Sequence, residues 1–218
     1  MAGLGALYVV AKRCRRVMSS AGMKPLLFHS DAAAILAGVS YGLVAVAELS
    51  LAVRTARARL GASQPGGHWA LVLGSAVGIT LGVRAAEGIS SLALPGPAWW
   101  PFAVGLVLIW AGLALRWWAV LELGRFFQLT VVVQEDHRVV ESGPYRVVRH
   151  PSYSGLLLIF VGVGFTLGNW LSVAACLVLP LLGLLVRIRA EETVLNRELG
   201  EPYRAYSART RRLVPRVW

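Results

Sequence analysis

Two short runs hold the residue types able to grip charge and move protons. The first is Gly143-Pro144-Tyr145-Arg146-Val147-Val148-Arg149-His150-Pro151-Ser152-Tyr153-Ser154-Gly155, and the second is Arg187-Ile188-Arg189-Ala190-Glu191-Glu192-Thr193-Val194-Leu195. Arg187 and Glu191 are four apart and share one face of a helix; alone they read as an ordinary ion pair worth a few tenths of a kcal/mol. Arg149-His150-Pro151 alone reads as a loop with a helix start, since proline suits the first helical turn. Brought together, they set an imidazole and tyrosine rings beside a guanidinium and a carboxylate, a combination suited to holding a charged small molecule.

Those runs must be positioned by the elements around them. Of the 218 residues 56% are hydrophobic and 15% charged, and the apolar residues come in long stretches. That pattern reads as an all-α integral membrane protein, because a span needs about 20 apolar residues. Spans are predicted over Ala32–Val53, Trp69–Leu94 and Trp99–Leu123. Trp99, Trp100, Trp117 and Trp118 stand near the ends of the third, where an interfacial belt belongs. The run Tyr153–Val186 divides at Gly168-Asn169 into a tight hairpin, Tyr153–Leu167 and Trp170–Val186. This hairpin carries both polar runs at the same end and so sets them side by side. One unit results: a basic N-terminal segment (1–31), three helices (32–123), and a region with the hairpin, both polar runs and a polar tail (124–218). Pro202 is expected to interrupt a tail helix and Pro215 to end it. Leu129–Val133 is β-prone.

The formal net charge is +11. Arginines flank the spans as cytoplasmic loops do, which argues against nucleic-acid binding and for a lipid bilayer as the partner. Three basic segments (Arg54–Arg59, Gly124–Ser152 and the tail) fall on one side, taken as cytoplasmic together with the site and the C-terminus. The basic N-terminus (Lys12, Arg13, Arg15, Arg16) conflicts with that assignment. Leu4–Ala11 is too short to span, and is read either as an interfacial segment or as an extension upstream of a start at Met23. Arginine far outnumbers lysine, which suits a bacterial cell membrane. Cys14 and Cys176 form no metal-binding pattern, so no metal site is expected. Glu48, Arg84 and Glu87 lie within spans. Arg84 and Glu87 are read as a pair turned into the bundle, with the lining of an entry route between helices as the alternative.

From Gln134 to Pro215 the chain resembles the isoprenylcysteine carboxyl methyltransferase and phospholipid methyltransferase families of membrane enzymes. The resemblance rests on His137-Arg138-Val139-Val140, Gly143-Pro144-Tyr145, Arg149-His150-Pro151-Ser152-Tyr153-Ser154-Gly155, Arg187 through Leu195, and Gly200-Glu201-Pro202-Tyr203-Arg204-Ala205-Tyr206 with the late Pro215. It implies a methyl-donor site built without a Rossmann sheet. The sequence agrees in having no strand–GxGxxG–helix unit; Gly162-Val163-Gly164 is read as helix packing. The resemblance implies that S-adenosyl-L-methionine is held by Gln134, His137, Arg138, Val139, Val140, Tyr145, His150, Pro151, Ser152 and Tyr153, with Glu191 and Glu192 from the second run. Glu191 and Arg187 would be catalytic, and Arg187 would face a lipophilic, isoprenoid or lipid substrate. A carboxylate can pair with the donor's cationic part, and aromatic faces favour a sulfonium. Arg187 could orient a carboxylate acceptor by a two-point contact; an amine acceptor would instead need Glu191 or a histidine as base. Two other readings stay open: an NADPH-dependent membrane reductase of the sterol type, and a non-catalytic membrane scaffold. Oligomeric state and the identity of the acceptor are left open.

Overall fold

The computed structural model describes residues 25–28, 30–56, 68–127 and 139–215. Six α-helices run through them: α1 (Asp31–Ala56), α2 (His68–Gly88), α3 (Trp99–Leu123), α4 (Pro151–Thr166), α5 (Trp170–Leu199) and α6 (Glu201–Arg209). Among the described residues, pairing between extended segments is limited to isolated bridges, Ala93 with Asn169 and Val148 with Arg211. The expected helical membrane architecture without a sheet is what is found. α1, α2, α3 and α5 are long and apolar enough to cross a bilayer, and α4 is a shorter apolar helix of 16 residues.

The helices pack chiefly as two tight pairs, α3 on α4 and α2 on α5, joined by the α4–α5 hairpin. Lipid is as apolar as a leucine side chain, so close backbone contact rather than hydrophobic burial must hold such pairs. Along the α3–α4 seam Gly105 faces Gly162 and Gly112 faces Gly155. A Cβ on Gly112 would sit 2.5 Å from the Gly155 carbonyl oxygen, and one on Gly105 would sit 2.6 Å from that of Gly162. Gly162 is therefore a packing residue, as its sequence setting indicates. α1 is held more thinly, by Ala33 and Ala37 against Phe102, by the Tyr41 hydroxyl 2.6 Å from Thr166 Oγ1, and by an ion pair described below.

The hairpin turn lies at Gly168-Asn169, where Gly168 takes φ +63°. Asn169 does two jobs: its Oδ1 accepts from the Leu171 amide at the start of α5 (2.9 Å), and its Nδ2 donates to the Ile89 carbonyl beyond α2 (2.8 Å). That second bond satisfies a carbonyl left over at a helix end. It explains why the second span stops at Gly88 and passes into a short 3-10 turn, Ser90–Leu92, rather than continuing to Leu94. Leu94 N donates to Gly168 O at 2.9 Å, so the Pro95–Pro97 turn and the hairpin turn share one end of the bundle. The opposite end carries the polar runs.

Three local expectations need correction. Arg84 and Glu87 do pair, at 3.7 Å, but on the outside; the Arg84 side chain is 78% exposed. They stand in the last two turns of α2, where a long arginine stem can carry its head toward water. Pro202 begins a helix rather than interrupting one. Gly200 (φ +59°) ends the helix after Leu199, and Pro202 lies in the first turn of α6, where its missing amide has no partner to lose. The last membrane helix also runs on well past Val186, to Leu199. The N-terminal segment before Pro25, the Arg57–Gly67 stretch and Leu129–Val133 lie outside the described residues.

Candidate active site

The sequence Arg149-His150-Pro151 makes the start of α4. Pro151 occupies the first helical turn, and His150 stands immediately before it with a non-helical backbone (φ −124°). On the other arm, α5 extends as one helix through Arg187, Glu191 and Glu192. The two runs meet, as the hairpin geometry requires. The Tyr153 hydroxyl donates to Glu191 Oε2 at 2.6 Å and accepts from Arg187 Nε at 2.6 Å. The Tyr153 ring also stacks on His150 (centroids 5.5 Å apart, planes 17° apart) and lies 5.7 Å from the Arg187 guanidinium carbon. Arg187 and Glu191, which alone read as a helix-surface pair, are thus joined through the phenol of the neighbouring helix. Arg187 and His150 are both buried.

Glu192, one residue on, turns to a different set of partners. Its Oε1 takes Arg149 Nε at 2.9 Å and lies 3.4 Å from His150 Nε2; its Oε2 takes Arg212 Nε at 2.9 Å. Arg149 further donates to the carbonyls of Ser207 (2.6 Å) and Thr210 (2.7 Å). The tail after α6 runs beside Val147–His150, with Arg149 N donating to Arg211 O and His150 N to Arg212 O. Ser154 Oγ adds a 2.6 Å bond to Leu213 O. The polar tail is therefore strapped across the start of α4, and Glu192 is the anion at the buckle.

Tyr145 lies in a 3-10 turn, Gly143–Arg146, with its hydroxyl donating to Ala119 O (3.3 Å) and its carbonyl accepting from the Tyr206 hydroxyl (2.8 Å). Burial, helped by the nearby Glu191 carboxylate, pushes its phenol well above the usual range, so it stays protonated. Pro151 and Ser152 are buried at the head of α4, and Val139 and Val140 are half-buried ahead of Tyr145. Gln134, His137 and Arg138 lie outside the described residues.

The sequence reading missed Arg116, which joins the already noted Glu48 and Ser152. Arg116, on α3, is 3% exposed, and its NH1 holds both Ser152 Oγ (2.7 Å) and Ser152 O (3.2 Å). Its Nε and NH2 grip the Glu48 carboxylate of α1, the latter at 2.7 Å. An arginine inside an apolar run is the available signal, since a charge at membrane depth needs a partner. Arg149 and Arg212, too, carry more than positive-inside charge.

The arrangement can bind a small molecule with both charges. It offers a half-buried carboxylate, a buried guanidinium and aromatic faces within one cluster, and its polar atoms are held by second bonds. Such holding is what keeps a site in a productive geometry. Among the described residues no group of His, Cys, Asp and Glu is arranged to bind a metal ion.

A family model described as the isoprenylcysteine carboxyl methyltransferase (ICMT) family matches residues 103–197. Protein-S-isoprenylcysteine O-methyltransferase B of Arabidopsis thaliana is 36% identical over 121 residues, covering 55% of this chain and 61% of the relative. A probable protein-S-isoprenylcysteine O-methyltransferase of Oryza sativa subsp. japonica is 33% identical over 119 residues, covering 54% and 62%. The chain thus spans about three fifths of the length of these curated relatives. The solved structure of the eukaryotic intramembrane Ras methyltransferase ICMT superposes with a TM-score of 0.63 at 21% identity, over 88% of this chain and 70% of that one, a likeness of fold.

Proposed function

We propose that this chain, whose residues 103–197 match the isoprenylcysteine carboxyl methyltransferase family model, is a membrane-embedded methyltransferase of that kind, which uses S-adenosyl-L-methionine to methylate a carboxylate on a lipophilic substrate. The observation that carries this reading is the Arg187–Tyr153–Glu191 cluster on the α4–α5 hairpin. The residues suit the donor: Glu191 offers an anion for its cationic part, and the Tyr153 and Tyr145 rings offer faces for a sulfonium. When bound, the donor supplies an electrophilic methyl group. Tyr145, His150, Pro151, Ser152, Tyr153 and Glu191 hold it, with Val139 and Val140 alongside and Gln134, His137 and Arg138 from the preceding segment. Glu192 acts through His150 and the tail, because both of its oxygens are already engaged.

Arg187 orients the acceptor. Its guanidinium can take a carboxylate by two parallel hydrogen bonds, fixing which oxygen faces the methyl group. A carboxylate is already ionised and nucleophilic at neutral pH, so no general base is required, and positioning carries much of the rate. The relatives are named for isoprenylcysteine, which makes an S-prenylated cysteine carboxylate the first acceptor to try. We further propose that the site and tail face the cytoplasm of a bacterial cell, following the arginine-rich loops.

The test is calorimetric binding of S-adenosylmethionine, S-adenosylhomocysteine and NADPH to the detergent-purified chain. The proposal expects saturable binding of both adenosyl compounds. NADPH binding alone would point to a reductase, and binding of none to a scaffold. Glu191→Ala and His150→Ala should abolish donor binding in folded protein. Arg187→Ala should keep donor binding and lose turnover; loss of donor binding alone in that variant would remove its substrate role.

A further inference from the structure

α1 carries no part of the two polar runs, yet it reaches the site through one arginine. Polar links fasten α1 at two levels. Near the hairpin turn the Tyr41 hydroxyl meets Thr166 Oγ1 at 2.6 Å. Toward the site the Glu48 carboxylate accepts from Arg116 of α3 through both oxygens, and Arg54 lies over the Trp117 ring beyond it.

All three guanidinium nitrogens of Arg116 are engaged. Nε and NH2 go to Glu48, and NH1 goes to Ser152 Oγ (2.7 Å) and Ser152 O (3.2 Å). The guanidinium is a rigid planar fork, so its seat on the Glu48 carboxylate fixes the direction of NH1. Glu48 therefore aims the two hydrogen bonds that Ser152 receives. Because Ser152 Oγ accepts from NH1, its own proton points away from Arg116. Ser152 lies between His150 and Tyr153 at the head of α4, and what fixes it fixes that turn. The close approach is built in: a Cβ on Gly155 would lie 2.8 Å from the Arg116 amide nitrogen. The same stretch of α3 steadies Tyr145, whose hydroxyl donates to Ala119 O at 3.3 Å and whose phenol feels the Arg116 charge. Stability alone does not call for such a pair, since a well-packed apolar pair commonly serves the fold as well as a buried ion pair.

We propose that Arg116, aimed by Glu48, is a positioning residue of the methyl-donor site: it sets Ser152 and the first turn of α4, so that the seating of α1 governs donor affinity. This inference rests on the proposed function, in which Ser152 and its neighbours hold the donor. It makes α1 a helix that tunes the site without touching the donor.

The experiment uses the full chain with Glu48→Gln, Ser152→Ala, both together, and Tyr41→Phe as a control that loosens α1 at its far end. Binding of S-adenosylhomocysteine is measured by calorimetry, with ligand-free melting alongside. Glu48→Gln is expected to weaken binding roughly threefold or more. In the Ser152→Ala background the same change should do less, so that the double variant binds roughly threefold or more tighter than the product of the single losses requires. Tyr41→Phe should lower the Tm and leave affinity unchanged. Should Glu48→Gln yield no folded protein, Glu48→Asp, which withdraws the carboxylate by one methylene, is read by the same criteria. Unchanged affinity in the Glu48 variant, with only a lower Tm, overturns the proposal and leaves a structural pair. Losses that simply multiply overturn the route through Ser152, and an equal loss in Tyr41→Phe would mean general loosening. If the wild-type chain does not bind S-adenosylhomocysteine, the proposed function itself falls, an outcome distinct from these.

Discussion

Replacing Tyr153 by phenylalanine asks whether one hydroxyl unites the site. The substitution keeps the ring, and with it the stack on His150 and the face presented to Arg187. It removes two 2.6 Å hydrogen bonds, one from Arg187 Nε and one to Glu191 Oε2. A hydrogen bond to a charged group contributes about 1.5–3 kcal/mol. The two share one oxygen and are lost together, and the low end of their sum, about 3 kcal/mol, serves as the working figure. If that energy orients the reacting groups, a loss of even half of it lowers kcat/KM by roughly tenfold. The assay is transfer of a labelled methyl group to an S-farnesylated cysteine derivative in nanodiscs, with donor affinity measured in parallel. A double-mutant cycle with Arg187→Lys then reads the coupling, expected at about 1 kcal/mol or more for groups in contact. A Tyr153→Phe enzyme within a factor of about two of wild type, together with additive effects in the cycle, would refute the idea that the phenol joins Arg187 to Glu191 for function.

Glu192→Gln should release the tail. It leaves Arg149 and His150 buried beside a neutral amide, and breaking such a pair costs about 3 kcal/mol; the measurements are a lower Tm and faster trypsin cleavage after Arg211 and Arg212, and an unchanged digest would count against the strap. Gly112→Val should prise α3 from α4, since a Cβ would meet the Gly155 carbonyl oxygen at 2.5 Å; loss of folded protein in detergent is expected, whereas Gly38→Ala, where nothing lies near, should change the Tm little. Alkaline titration should show Tyr145, Tyr203 and Tyr206 ionising late, with Tyr206 pushed up to about 12 chiefly by burial. A raised phenol value stabilises the fold fully below pH about 10; that contribution is lost as pH rises through the folded value. The tyrosinate absorbance should therefore appear together with unfolding above pH about 10, and early ionisation in a folded chain would contradict the burial.

The helices were legible because each is a long apolar run, and the hairpin because Gly168-Asn169 punctuates the last one. Their ends were less so. Asn169 stops α2 by a bond across the bundle, and no local pattern around Gly88 records it. In the site, the meeting of the two polar runs followed from the hairpin. The division of labour between Glu191 and Glu192 did not. Adjacent residues on a helix point about 100° apart, so one reaches Tyr153 and the other Arg149 and Arg212, and only the packed neighbours decide which. Arg116 shows the same limit: its charge stands out in an apolar run, but its partners, Glu48 and Ser152, come from two other helices.

The short length of α4 bears on the bilayer itself. Its 16 residues rise about 24 Å at 1.5 Å each, less than a hydrocarbon core of about 30 Å. Its partner α5 is nearly twice as long. A short helix clamped between long ones obliges lipid to thin beside it or headgroups to dip toward its end. In this fold the end that draws the headgroups down is the one bearing His150 and Tyr153. Acyl-chain length and sterol-like stiffening thus become mechanical variables of the protein, acting on the depth at which the proposed lipid-borne carboxylate would meet Arg187.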